Sequence, residues 1–133
     1  MSDYTTVAAL SDIHGNIHAL NAVLAEVERE QPDVIVVCGD VATGPFPSDT
    51  LERLMGLGER AYFVRGNADR ELISAYDRQL QFDPEEQDPA RLFSSWSVQQ
   101  IDKRQRDFLA SFHDRVVLEI TGLGSVLFCH GSP

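Results

Sequence analysis

Four short polar clusters each follow an apolar run: Asp12-Ile13-His14-Gly15-Asn16, Gly39-Asp40, Gly66-Asn67-Ala68-Asp69 and Cys129-His130-Gly131. They supply carboxylate, imidazole and amide groups, donor types that suit divalent cations such as manganese, iron or zinc. Asp12 and His14 lie two residues apart, so both could point into one site, and Gly15 permits the tight turn needed to carry them there. A lone Asp-x-His or Gly-Asp is common and uninformative. Four clusters in order, each closing an apolar run, form a pattern that ordinary loop polarity would have to match four times over.

Side chains so distant in sequence meet only if strands deliver them to one edge. Thr5 to Leu10 is β-branched and apolar and reads as a buried strand running into the first cluster. From Ile17 to Glu30 the apolar positions Ile17, Leu20, Val23, Leu24 and Val27 recur at helical spacing, and Pro32 stops the helix. Val34 to Val37 is continuously apolar, as in a parallel strand buried on both faces, and Gly39-Asp40 follows it. After the Gly44-Pro45-Phe46-Pro47 loop, Ser48 is expected to cap a short helix through about Leu57, with Leu51, Leu54 and Met55 inward. Ala61 to Val64 is the third strand, ending at Gly66-Asn67. This alternation predicts a doubly wound α/β pattern, in which the carboxyl ends of the strands gather on the side where ligands bind.

Residues 81–90 hold two prolines and the acidic residues Asp83, Glu85, Glu86 and Asp88, and read as a solvated loop. Arg91 to Phe112 returns to helical spacing around a polar middle, with Leu92, Phe93, Trp96, Ile101, Phe108, Leu109 and Phe112 as expected core contacts. Arg115 to Ile120 and Ser125 to Cys129 read as strands of a hairpin turning at Thr121-Gly122-Leu123-Gly124. His18 is expected on the surface or at the cap of the first helix and His113 in a loop. Arg65 and Arg70 flank the third cluster, where they would meet a phosphate or form surface ion pairs.

With 133 residues and 43% hydrophobic content, the chain can build one domain, 1–133, around a real core. It lacks an apolar run of the roughly 20 residues that cross a bilayer, and its start, Met1-Ser2-Asp3-Tyr4, is not that of a secretory signal. A cytoplasmic protein without membrane partners is expected. Twenty-one acidic against eleven basic residues give a formal charge of -10, which repels polyanions and argues against general nucleic-acid binding. Two divalent cations beside Asp12 and Asp40 would reverse that sign locally, to roughly +2. Cys38 and Cys129 close apolar runs and are expected as reduced core thiols, with a lesser metal-binding option for Cys129 beside His130.

The order Asp-x-His, Gly-Asp, Gly-Asn, His resembles the signature of the calcineurin-like metallophosphoesterases, from about Val7 to the carboxyl end. The bacterial phosphodiesterase-like branch, whose third motif often lacks histidine, is most similar. The resemblance implies a four-layer α/β/β/α fold, a β-sandwich flanked by helices, and a pair of divalent ions. Asp12 and His14 would hold one ion, Asn67 and His130 the other, and Asp40 would bridge them at the catalytic centre. Asn16 and Asp69 would support catalysis by orienting those ligands or contacting phosphate. Between ions about 4 Å apart, a bridging hydroxide attacks phosphorus in line while the ions neutralise phosphoryl charge. The implied substrates are small-molecule phosphodiesters or phosphomonoesters.

Two departures shape that expectation. Many relatives carry histidine where this chain has Ala68; without that general acid, a factor of roughly 10² to 10⁴ is missing for poor leaving groups, which favours activated diesters or anhydrides. The family's last motif, Gly-His-x-His, does not occur in these residues, which leaves each ion three ligands from this chain and the second sheet incomplete. The chain therefore reads as the amino-terminal part of a larger enzyme, with an open sheet face that invites self-association or a partner. The competing expectation is a catalytically impaired metal-binding or interaction module; another is a site completed by a neighbouring subunit.

Overall fold

The computed structural model describes residues 3–132. In chain order it comprises β1 (Val7–Leu10), α1 (Ile17–Glu30), β2 (Val34–Val37), α2 (Pro47–Met55), a single 3₁₀ turn (Gly58–Arg60), β3 (Ala61–Phe63), α3 (Asn67–Asp77), α4 (Pro89–Gln100), α5 (Lys103–Ala110), β4 (Arg115–Ile120) and β5 (Gly124–Cys129).

β1, β2 and β3 form a parallel sheet in that order, in register from Val7 opposite Val34 to Val37 opposite Phe63. Strands added successively to one edge through right-handed crossovers return their helices to one face. The chain accordingly winds in one direction, which corrects the doubly wound expectation. All five helices contribute to the core on that face, where Leu24, Leu51, Leu54, Leu72 and Leu109 pack against Ile35 and Val37. Each such leucine contributes about 1.5–3 kcal/mol relative to exposure. β2 alternates, so Val34 and Val36 turn to the opposite face, which explains its unbroken apolar run.

That opposite face is covered by the antiparallel pair β4 and β5, in register from Arg115 opposite Cys129 to Ile120 opposite Gly124. Val116, Leu118, Ile120, Val126 and Phe128 point inward on Val34, Val36 and Val64. Two parallel bridges fix the hairpin: His113 pairs with Val64 and Ile120 with Tyr4, so β4 begins beside the end of β3 and finishes beside the approach to β1. The described residues thus build a helical layer and two sheets of the α/β/β/α arrangement. Val117 and Leu127, 57% and 41% exposed, mark the outer face of the second sheet.

Three local expectations need correction. α2 opens at Pro47, whose fixed φ suits the first helical position, and Phe46 rather than Ser48 precedes it. The helical stretch after Arg91 breaks at Ile101-Asp102, where Asp102 accepts the N–H of Gln105 at 2.8 Å and Gln105 Oε1 accepts the N–H of Asp102 at 3.0 Å, a capping box that starts α5. Phe93 and Trp96 are 46% and 37% exposed, not core residues, because α4 turns Ser95, Ser97 and Val98 inward. Among the described residues no helix is long and apolar enough to cross a membrane.

Candidate metal centre

The loops that follow β1 and β2 run side by side. Asp12, His14 and Gly15 donate their backbone N–H groups to the carbonyls of Gly39, Asp40 and Val41 at 3.0, 3.0 and 2.8 Å. This ladder sets Asp12 and His14 against Asp40. All three adopt left-handed backbone, with φ of 56°, 48° and 56°. Non-glycine residues in that region cost roughly 1–3 kcal/mol each and concentrate at functional sites. Gly39, at φ 91°, allows the close approach: a Cβ there would lie 2.8 Å from His130 Nδ1 and 2.7 Å from the Gly66 nitrogen.

Asp40 is 6% exposed. Its Oδ1 accepts the Ala68 N–H at 2.9 Å, while Oδ2 faces His130 Nε2 at 3.3 Å and His14 Nε2 at 3.7 Å. Gly66 must be glycine for a different reason, since any Cβ would strike the Asp40 carboxylate. Beneath it lies Asp69, 1% exposed, which accepts the N–H groups of Asp40, Val41 and Gly66 at 3.0, 3.0 and 2.8 Å. Burial pushes the Asp69 carboxyl above its ordinary range against the opposing pull of those amides.

His130 arrives from the end of β5. Its Nδ1 lies 2.7 Å from the Cys38 carbonyl, an acceptor, which assigns the ring proton to Nδ1 and turns the Nε2 lone pair toward Asn67 Oδ1 at 3.1 Å and Asp40 Oδ2. The Cys38 carbonyl raises the His130 pKa above its ordinary value, opposed by burial and assisted by Asp40, Asp12 and Asp69. His14 Nε2 stands 3.5 Å from Asp12 Oδ1, with Nδ1 3.3 Å from the Thr43 carbonyl. Ligand atoms of Asp12, Asp40 and His130 lie within 4.8 Å of one another. Lone pairs facing lone pairs are unfavourable until a cation separates them, so this donor set fits a divalent metal ion.

The structure therefore gathers Asp12, His14, Asp40, Asn67 and His130 at one edge. Asn16 stands at the start of α1, where its Oδ1 accepts the Ala19 N–H at 3.0 Å. Exposed His18 packs edge-on to Phe46, with ring centroids 5.5 Å apart. His113 lies opposite Val64 in a parallel bridge, its N–H donating to the Phe63 carbonyl at 3.0 Å and its carbonyl accepting the Arg65 N–H at 2.7 Å. Arg65 and Arg70 both pair with Asp114, at 3.8 and 3.3 Å, and Arg65 also donates to the carbonyls of Ala110 and Phe112. Cys38 and Cys129 are free thiols, half-buried. Two further groups belong to the site: the Cys38 carbonyl, a backbone atom that leaves no mark in residue identity, and the Ser11 hydroxyl, which donates to Asp12 Oδ2 and which the donor types of the four clusters do not single out. A recess of about 650 Å³ opens beside Asn67 and His130. A larger recess, about 1000 Å³ between α3 and α4, contains none of the five gathered residues.

Oxygen and imidazole donors over the carboxyl edge of a parallel sheet, backed by a second sheet, make a metal-site scaffold of the α/β sandwich class. The chain belongs to the calcineurin-like phosphoesterase family, whose model matches residues 5–133. Over 69 residues it is 38% identical to a symmetrical bis(5'-nucleosyl)-tetraphosphatase of Colwellia psychrerythraea, covering 50% of this chain and 24% of that protein. A metallophosphoesterase structure from Sphaerobacter thermophilus matches with a TM-score of 0.63 at 28% identity, over 86% of this chain and 43% of that one. At 19% identity, a hypothetical protein from Pyrococcus horikoshii gives a TM-score of 0.77 over 99% of this chain and 56% of that one, a likeness of fold. The E. coli phosphoesterase YfcE, also 19% identical, gives 0.59 over 96% and 58%. The chain thus spans about a quarter of the curated relative it matches, 24%, and 43% to 58% of these solved chains.

Proposed function

We propose that this chain carries the metal-binding core of a phosphoesterase that hydrolyses phosphodiesters or phosphoanhydrides with divalent cations. The supporting observation is the convergence of Asp40 Oδ2, His130 Nε2 and an Asp12 oxygen, with no N–H or O–H among the described residues donating to Asp40 Oδ2. Asp12 and His14 would hold one ion and Asn67 and His130 a second, with Asp40 shared. Bound there, manganese, iron or zinc supplies Lewis-acid neutralisation of the phosphoryl oxygens and acidifies water.

The chain's own part is orientation. The Ala68 N–H anchors Asp40 Oδ1, so Oδ2 stays directed at both histidines. The Cys38 carbonyl fixes the His130 ring and its tautomer, and Asp69 fixes the backbone that carries Asp40. Asn16 secures α1 behind the first loop. Ala68 offers no imidazole to protonate a departing oxygen, so leaving groups that depart as stable anions are favoured.

The test is hydrolysis of bis(nitrophenyl) phosphate and of nitrophenyl phosphate with and without manganese, against Asp40→Asn. Manganese-dependent turnover that the variant loses supports the reading; turnover that needs no metal, or survives in the variant, refutes it. A second reading, a metal-binding module with impaired catalysis, draws on the exposure of Asp12 and His14, whose side chains are 55% and 47% accessible. Calorimetric manganese binding without turnover of either ester would select it.

A further inference from the structure

The recess beside Asn67 and His130 is lined by Arg65, Arg70 and Arg115 against a single carboxylate, Asp114. Three of the chain's eleven basic residues therefore border one opening of a protein whose formal charge is -10. The three guanidinium groups differ in how fully they are engaged. Arg65 is committed to the Ala110 and Phe112 carbonyls at 3.1 and 2.8 Å. Among the described residues the Arg70 side chain is tethered only to the exposed Asp114, at 3.3 Å, and it is 63% accessible. Arg115, the first residue of β4, has no carboxylate partner within 4.0 Å among the described residues. Planar guanidinium groups bind phosphate bidentately, and a small cationic recess in an acidic protein focuses anions locally.

We infer that this recess is a subsite for an anionic leaving group, and that Arg70 and Arg115 select phosphoanhydrides whose departing half carries a further phosphate. The inference rests on the phosphoesterase reading and names its substrate class. In the reaction, a water oxygen bonds to phosphorus at the metal centre and the bridging P–O bond breaks. Its electron pair leaves on the departing phosphate, and the protons of water pass to solvent. A departing phosphate, with a second pKa of about 6, needs no protonation, which matches the lack of an acid at Ala68. Arg70 and Arg115 would bind that charge where the missing imidazole would otherwise have been needed.

The test begins with binding of inorganic tripolyphosphate to the full chain in metal-depleted, low-salt buffer, followed by calorimetry. Arg70→Gln and Arg115→Gln should each weaken it about 10-fold, and Asp114→Asn should tighten it several-fold by releasing Arg70. Arg29→Gln, which breaks a pair with Glu26 on α1, should leave it unchanged. With manganese, the Arg70 and Arg115 variants should lose about 10-fold in kcat/KM on adenosine tetraphosphate and less than about twofold on bis(nitrophenyl) phosphate. Equal losses on both substrates, or tripolyphosphate binding indifferent to both arginines, would overturn the subsite. Arginine-dependent binding without hydrolysis of either compound would instead overturn the phosphoesterase reading and leave the subsite standing.

Discussion

The buried carboxylate of Asp69 accepts the backbone N–H of Asp40 at 3.0 Å, so one acidic residue is held in place by another directly beneath it. Asp40 turns its free oxygen to the site, and Asp69 turns both of its oxygens to backbone amides. Asp69→Asn would set an amide NH₂ against N–H donors. Leaving such a group unsatisfied costs about 1–3 kcal/mol, and loosening an orienting group typically costs about 10- to 100-fold in metal affinity. Thermal melting and manganese titration check both; an unchanged melting temperature would remove Asp69 from this positioning role.

Gly66→Ala tests packing at the same point. The added methyl would collide with the Asp40 carboxylate, so Asp40 must turn away or the loop must shift. Metal affinity is expected to fall by at least about 10-fold, while far-ultraviolet circular dichroism stays that of the parent. Retained affinity would show that the close approach is not required.

The aromatic residues of the carboxyl half should divide sharply. Phe112 is 2% exposed and stacks on Phe63 at a centroid distance of 4.9 Å, whereas Phe93 is 46% exposed. Phe112→Ala should cost about 3–5 kcal/mol, the range for a large buried aromatic; Phe93→Ala should stay within about 0.5 kcal/mol, as surface changes do. Urea denaturation midpoints decide, and comparable losses would contradict the orientation of α4.

Acid sensitivity should trace partly to the link between α3 and α5. Arg106 donates from Nε and Nη2 to both oxygens of Asp77 at 3.0 and 2.7 Å and holds that carboxyl below its ordinary value of 3.8. A carboxylate whose folded pKa is depressed binds fewer protons folded than unfolded. Its contribution is therefore present above the unfolded value and lost as pH falls through the folded one. Stability should decline below about pH 4, less steeply in Asp77→Asn, and the difference should shrink in high salt because Asp77 is 51% accessible. Denaturation midpoints at several pH values would expose an unaltered slope, which would refute this assignment.

Much of the framework was legible because independent signals agreed. α1 combined apolar positions at helical spacing with a stopping Pro32, and its observed span is the expected one, whereas the cap that Asn16 provides shows only in the structure. β2 showed its double burial in an unbroken apolar run. α3 was hidden because Asn67, which closes the loop after β3, also opens the helix, and a polar ligand cluster masks a helix start. On α4 the spacing of Phe93 and Trp96 suggested an apolar face, yet Ser97 won the inward position: its hydroxyl donates to the Gly44 carbonyl at 3.1 Å and accepts the Gly44 N–H at 3.0 Å. Aromatics would not fit that contact. The five clustered donors were legible by type and order, whereas the left-handed turns at Asp12, His14 and Asp40 follow from pairing between loops that no single segment encodes.

The route of β4, from beside Val64 to beside Tyr4, bears on time as well as shape. Asp12, Asp40 and Asn67 follow the three strands of the parallel sheet, but His130 is carried in by a hairpin with its own hydrogen-bond ladder. An ion held between Asp40 and His130 would span the seam between two separately laddered sheets. Lifting the hairpin would then open the coordination shell, and releasing the ion would remove one tie from a hairpin that its bridges and apolar face still hold. Metal residence time and amide exchange along β4 and β5 would report the same opening, with the ion acting as the latch of a clasp.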